Sequence, residues 1–366
     1  MTEAPRSPHI PCFRPSDADP AIIDFLVLTS PRMRSLTLTI SESREMYRSF
    51  LVTCFSNVTP GTLTSVSIRS AGREGSGRPF LVEASDLQPG VDKLTGLPSE
   101  IVEAAWQAVN VLQLRGFRPT WSSQAYHGLI ELRLVRVGSI SQSRFRSILY
   151  SSPQLRVLEL DLELQKYTPG DPSIAAVRLD SLEILILGGS KQKQLGSILQ
   201  LIAPGSKPLS LSIVNPYIGS PEFSSKDELA RFVARSRITR LSAHEFRNYS
   251  QLAEILSLMP GLQVVAVDAL HSGEIDEGAI SLEFNIQVLY VLNSCSRWNW
   301  FTWPQLEKFV EKHNVQKLVL WQYDFRYRGP SELGRETILD NLHTICPVVN
   351  IVPKTDPNPI LEWFGE

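Results

Sequence analysis

The chain has 366 residues, 43% of them hydrophobic, with 36 basic against 38 acidic residues and a net charge of -2. That apolar content excludes a mainly disordered protein, and the balanced charge argues against non-specific nucleic-acid binding, which needs a basic surface. No apolar run approaches the roughly 18 residues of a membrane span, and the first twenty residues hold five prolines and no apolar h-region. Cys12, Cys54, Cys295 and Cys346 are scattered without metal spacing, so a reducing compartment, cytoplasm or nucleus, is expected.

Taken in chain order, a Pro-rich tail is expected over residues 1–20. A cadence then follows: a short helix ending in Ile-Leu, a turn that often holds Pro, and L-x-x-L-x-L. It reads FLVLTSPRMRSLTL from Phe25, ILYSSPQLRVLEL from Ile148 and ILSLMPGLQVVAV from Ile255. The central apolar positions are Leu36, Val66, Leu112, Leu132, Leu158, Leu185, Leu211, Leu241, Val265, Leu289 and Leu318. Most intervals lie between 20 and 30 residues, the leucine-rich-repeat range or slightly above it.

Within each unit the alternation has the period of a strand with one face in the core. Helices are expected over 43–55, 142–150, 192–202, 226–235, 249–258, 303–313 and 331–345, so parallel strands joined by helical crossovers are predicted. The predicted fold is α/β. It is an irregular leucine-rich-repeat solenoid over 21–353, with a curved parallel sheet on the concave side and helices on the convex side. The 46-residue step from Val66 to Leu112 predicts an insertion at about 70–108, its second part a helix from Pro98 to Val109. Residues 354–366 read as a tail whose Leu361, Trp363 and Phe364 dock on the last repeat.

LQLRGFRPTWSSQAYHGLIELRL from Leu112, followed by SRFRSILYSSPQLRVLELDL, resembles the leucine-rich-repeat region of fungal (mushroom-type) F-box proteins. The resemblance implies a substrate receptor serving a cullin-based ubiquitin ligase, and a Skp-type adaptor as partner if an F-box lies upstream. The F-box itself is not found. Leu97-Pro98-Ser99-Glu100-Ile101 looks like an F-box opening but reads as a helix N-terminus, because strand-like VNVLQLRGF follows one short helix.

No hydrolase elbow, phosphate loop or zinc signature is present; Gly188-Gly189-Ser190-Lys191 reads as a strand-to-helix turn. No catalysis, cofactor or metal is therefore expected. A protein substrate or regulatory protein is the expected partner, membranes are not, and nucleic acid is disfavoured. The alternatives are a free-standing scaffold with no ubiquitin role and, more distantly, an α/β enzyme.

Residues flanking the strand leucines point to the face away from the helices. Arg115, Arg133, Glu159, Arg240, His244, Tyr290, Lys317, Trp321 and Tyr323 are the predicted contact residues. This face turns apolar in the later units, where an interface is predicted.

Overall fold

A computed structural model of the chain describes residues 20–40, 44–70, 97–116, 118–165, 175–188, 192–214, 226–244, 246, 249–268, 285–292, 303–321, 335–353 and 355–365. The chain divides into two compact units, Met1–Gly170 and Asp171–Glu366.

In the first unit the order is α1 (Pro20–Thr29), β1 (Ser35–Ile40), α2 (Arg44–Asn57), β2 (Ser65–Ser70), α3 (Ser99–Trp106), β3 (Val111–Arg115), β4 (Glu131–Ser141), α4 (Gln142–Tyr150) and β5 (Val157–Gln165). The strands are parallel and lie side by side in chain order, each paired with its predecessor. Their register aligns the central apolar positions: Leu36, Val66, Leu112, Leu132 and Leu158 face one another across four ladders. All five are buried.

The second unit holds β6 (Val177–Leu179), β7 (Ile184–Leu187), α5 (Gln192–Leu201), β8 (Ile202–Pro204), β9 (Pro208–Val214), α6 (Lys226–Val233), β10 (Arg237–His244), α7 (Tyr249–Ser257), β11 (Val264–Asp268), β12 (Val288–Leu292), α8 (Trp303–Lys312), β13 (Lys317–Trp321), α9 (Arg335–Ile345) and β14 (Val348–Val352). A 3-10 turn, Leu361–Phe364, follows. From β7 through β9 to β14 the strands are again parallel and in chain order, with Leu185, Leu211, Leu241, Val265, Leu289, Leu318 and Val349 in one row. β6 and β8 form a separate two-stranded ladder.

Parallel strands in chain order, with the right-handed crossovers that such connections favour, gather helices on one face of a sheet. Helix contacts follow that rule: α1 meets α2, α2 meets α3, α5 meets α6, and α8 meets α9. α4 shows how the sequence builds such a layer. Ser141 caps it by accepting the Arg144 amide, and Phe145, Ile148 and Leu149 at helical spacing are buried. At its far end, the Ser-Pro joint has a mechanical purpose. The Ser152 hydroxyl accepts the Leu129 amide at 3.1 Å and donates to the Tyr126 carbonyl at 3.1 Å, which pins the joint to the previous repeat.

The large parallel sheet is not curled, which corrects the expected curvature. Curl accumulates from a rotation at every repeat, driven by helices broader than the strands they back. β3 passes to β4 through only a three-residue 3-10 turn, Gln124–Tyr126, so that wedge is missing there. The expected helix over 98–109 is α3, and its eight residues lead straight to β3. Residues 1–19 and 71–96, the Pro-rich tail and the first part of the insertion, lie outside the described residues.

Candidate functional site

Each sheet has a face away from its helices, and the two faces differ in chemistry. In the first unit the in-register strands set Ser67, Gln113, Arg133 and Glu159 side by side in one row. Their side chains form one chain of hydrogen bonds. Ser67 donates to Gln113 Oε1 at 3.1 Å, and Gln113 Nε2 donates to Glu131 Oε1 at 2.6 Å. Arg133 Nε donates to the same Glu131 oxygen at 2.6 Å, and its Nη1 reaches Glu159 at 3.2 Å. The Arg133 side chain is only 5% exposed. Burial opposes its charge, but Glu131 and Glu159 outweigh that and raise its pKa above the usual guanidinium value.

The next row holds Arg69, Arg115, Val135 and Asp161. Arg69 and Arg115 are neighbours across the ladder and both are exposed. Burial pushes the Asp161 carboxyl upward, against the opposing pull of Arg136 and Arg115. The face is thus polar, with two adjacent cations standing above an immobilised network.

In the second unit the corresponding face is apolar and covered. Ile360, Trp363 and Phe364 pack with Ala266, Leu292 and Trp321 into one cluster, against which Ile184, Ile186, Val264, Tyr290 and Val352 also lie. Burying a side chain of this size stabilises by about 1.5–3 kcal/mol before entropy is counted. The Trp363 ring meets Tyr290 edge-on at 5.1 Å, and the Arg240 guanidinium lies 5.7 Å from its centre. Trp321 Nε1 donates to the Asp356 carbonyl at 3.1 Å.

Of the predicted contact residues, Arg115 and Arg240 are exposed, while Glu159, His244, Tyr290 and Lys317 are partly so. Two expected to be open are not. Arg133 is buried by its two carboxylate partners, and Trp321 is 8% exposed beneath the Ile360–Phe364 segment. Tyr323 and the Trp298–Trp300 region lie outside the described residues. Trp363 and Phe364, expected on the last repeat, both join the cluster beside Trp321, and Trp363 reaches as far as Tyr290 on β12 and Arg240 on β10.

One constellation escaped the sequence reading. Ser242 Oγ lies 2.7 Å from His244 Nε2, and His244 Nδ1 lies 3.4 Å from Asp268 Oδ2. The order of groups is that of a nucleophile, base and orienting carboxylate. Only a residue pattern of Ser-x-His on one strand with Asp on the next could have signalled it, and register was needed to join them. Chemistry is not favoured. Ser242 is 1% exposed, and the strand around it is paired on both sides by β9 and β11, so its amides are committed to ladders rather than to an oxyanion. The three groups contact one another, so the arrangement gives partners to buried and part-buried polar side chains. Among the described residues no group of three or more His, Cys, Asp or Glu side chains could hold a metal ion, and no helix is long and apolar enough to cross a membrane.

No protein-family model matches the chain, and no curated protein matches it.

Proposed function

We propose that the chain is a non-catalytic protein-recognition module, an irregular leucine-rich-repeat solenoid that presents its sheet faces to partners. The observation that carries this reading is the first unit's face: exposed Arg69 and Arg115 side by side above the Ser67–Gln113–Glu131–Arg133–Glu159 network. A hydrogen-bonded row that is already ordered loses little entropy on binding, and paired guanidinium groups suit an acidic segment of a partner protein. The resemblance to fungal F-box proteins extends the proposal to a substrate receptor of a ubiquitin ligase acting in the cytoplasm or nucleus.

A second reading, a scaffold with no ubiquitin role, is favoured by one observation. Leu97–Ile101 opens a single helix that runs into β3, rather than the helical module an F-box needs.

Immunoprecipitation of the chain from its own cells, with proteins identified by mass spectrometry, tests both. Arg69→Glu together with Arg115→Glu should cut recovery of the specific partners by about tenfold or more while melting is retained. Recovery of a Skp-type adaptor with the wild-type chain selects the ligase reading, and partners without an adaptor select the scaffold. An unchanged partner set in the double variant overturns the assignment of this face.

A further inference from the structure

The second unit's apolar face is covered by the chain itself, and the manner of covering is informative. Residues Thr355–Gly365 add no strand to the sheet. Their backbone hydrogen bonds are local: Asp356 to the Pro353 carbonyl, Leu361 to Asn358, Trp363 to Ile360 and Gly365 to Glu362. The segment therefore holds the face through side chains, chiefly Ile360, Trp363 and Phe364, together with the Asp356 carbonyl taken by Trp321.

Its path runs across the strands. Asp356 is held by Trp321 on β13, and seven residues later Trp363 sits against Arg240 on β10. Three strand spacings, about 14 Å, separate those two anchors. Burial under the strap raises the pKa of the Tyr290 hydroxyl, with Arg240 opposing that shift and Glu362 adding to it. A strap of prolines, a 3-10 turn and two adjacent aromatics, laid on a sheet without ladder bonds, has the form of a bound peptide ligand.

We propose that the β10–β13 face is a peptide-docking surface, and that residues 355–365 are its ligand bound in cis, displaced by a partner protein's segment of the same chemistry. That segment carries two adjacent aromatics in a tight turn: the first lies edge-on to Tyr290 with the Arg240 guanidinium over its ring, and both aromatics join the Ala266–Leu292–Trp321 floor. The inference rests on the protein-recognition reading and names both the partner chemistry and the regulation, since a site filled in cis lowers apparent affinity by the fraction of time it is open.

The test is fluorescence anisotropy with a labelled peptide of residues 355–366. It should bind a Trp363→Ala, Phe364→Ala chain at least about tenfold more tightly than the wild-type chain, because the wild-type site is already filled. A peptide with alanine at the position of Trp363 should not bind, and Arg240→Glu in the emptied chain should weaken binding. Absence of peptide binding to the emptied chain, shown folded by circular dichroism, overturns the proposal, as does equal binding to both chains.

If the emptied chain fails to fold, a protease site replacing Lys354 keeps the strap's own side chains in place. After cutting, the strap should exchange with labelled peptide, and retention without exchange makes it a fixed part of the core and overturns the proposal. A concentration-dependent wild-type dimer would assign the face to an exchanged strap from a second copy and overturn the separate-partner form. The peptide assay needs no cellular partner, so its failure is distinct from a failure of the Arg69 and Arg115 experiment.

Discussion

His313, the first residue after α8, is fully buried, its ring 4.5 Å from that of Phe309 and edge-on to it. Burial, aided by the neighbouring Lys312 charge, lowers its pKa from 6.5 to about 4. The folded chain thus resists a proton that the unfolded chain accepts. Stability from this group is complete above the unfolded value, falls as pH drops from about 6.5 to about 4, and the loss totals about 3 kcal/mol. Melting temperature measured across that window should decline, and His313→Leu should remove this part of the decline; an unchanged slope would refute the assignment. Nothing in the sequence marks His313 apart from the other histidines, because its titration depends on what packs around it. Trp321 shows the same limit from the other side. Its position on the strand face was legible from alternation, but its cover comes from residue 363, outside any repeat period.

At the scale of elements, the strongly periodic parts were legible. The expected helices at 142–150, 192–202, 226–235 and 249–258 coincide with α4, α5, α6 and α7 to within two residues, because their apolar spacing and the strand leucines were unambiguous. Three elements with weaker signals were missed. β6 and β8 have three residues each, too few to show alternation, and β14 reads Val-Val-Asn-Ile-Val without the leucine consensus. Beside the β6–β8 ladder two backbone segments approach closely. A methyl group on Gly205 would lie 2.7 Å from both the Asp180 Cα and its carbonyl oxygen, neither of which can swing aside. Gly205→Ala should cost about 1–3 kcal/mol and speed exchange of the Gly205 amide, which donates to the Leu179 carbonyl. Gly261→Ala, which meets nothing within 4 Å, is the control and should be near neutral.

For the whole molecule, the α/β class and the parallel, chain-ordered strands were readable because every unit repeats one rule. Which surface remains open was not readable, since that depends on the network over Arg133 and on the strap, neither of which is part of the rule. Within each unit a strand of the large sheet bonds only to the strands before and after it in the order, and in the proposed solenoid stability is a sum of near-neighbour terms. Urea unfolding should therefore be less cooperative than expected for 366 residues, with a shallow denaturant dependence. Tryptophan fluorescence, reporting two of the seven tryptophans (Trp106 and Trp121) in one unit and the other five in the second, should not coincide with far-ultraviolet circular dichroism. A single steep transition seen equally by both would show that the molecule melts as one body.

β2 and β3 pair residue for residue from Ser65 with Val111 to Arg69 with Arg115, although 46 positions separate each pair, against 20 for β3 and β4. Neighbouring strands thus accept connections of very different length without shifting by a single residue. Lengthening a connection costs little, about 0.6 kcal/mol for each doubling, once its ends are fixed by the ladder. The pairing of Arg69 with Arg115 is consequently fixed by the ladder and not by the length of chain that joins the two strands.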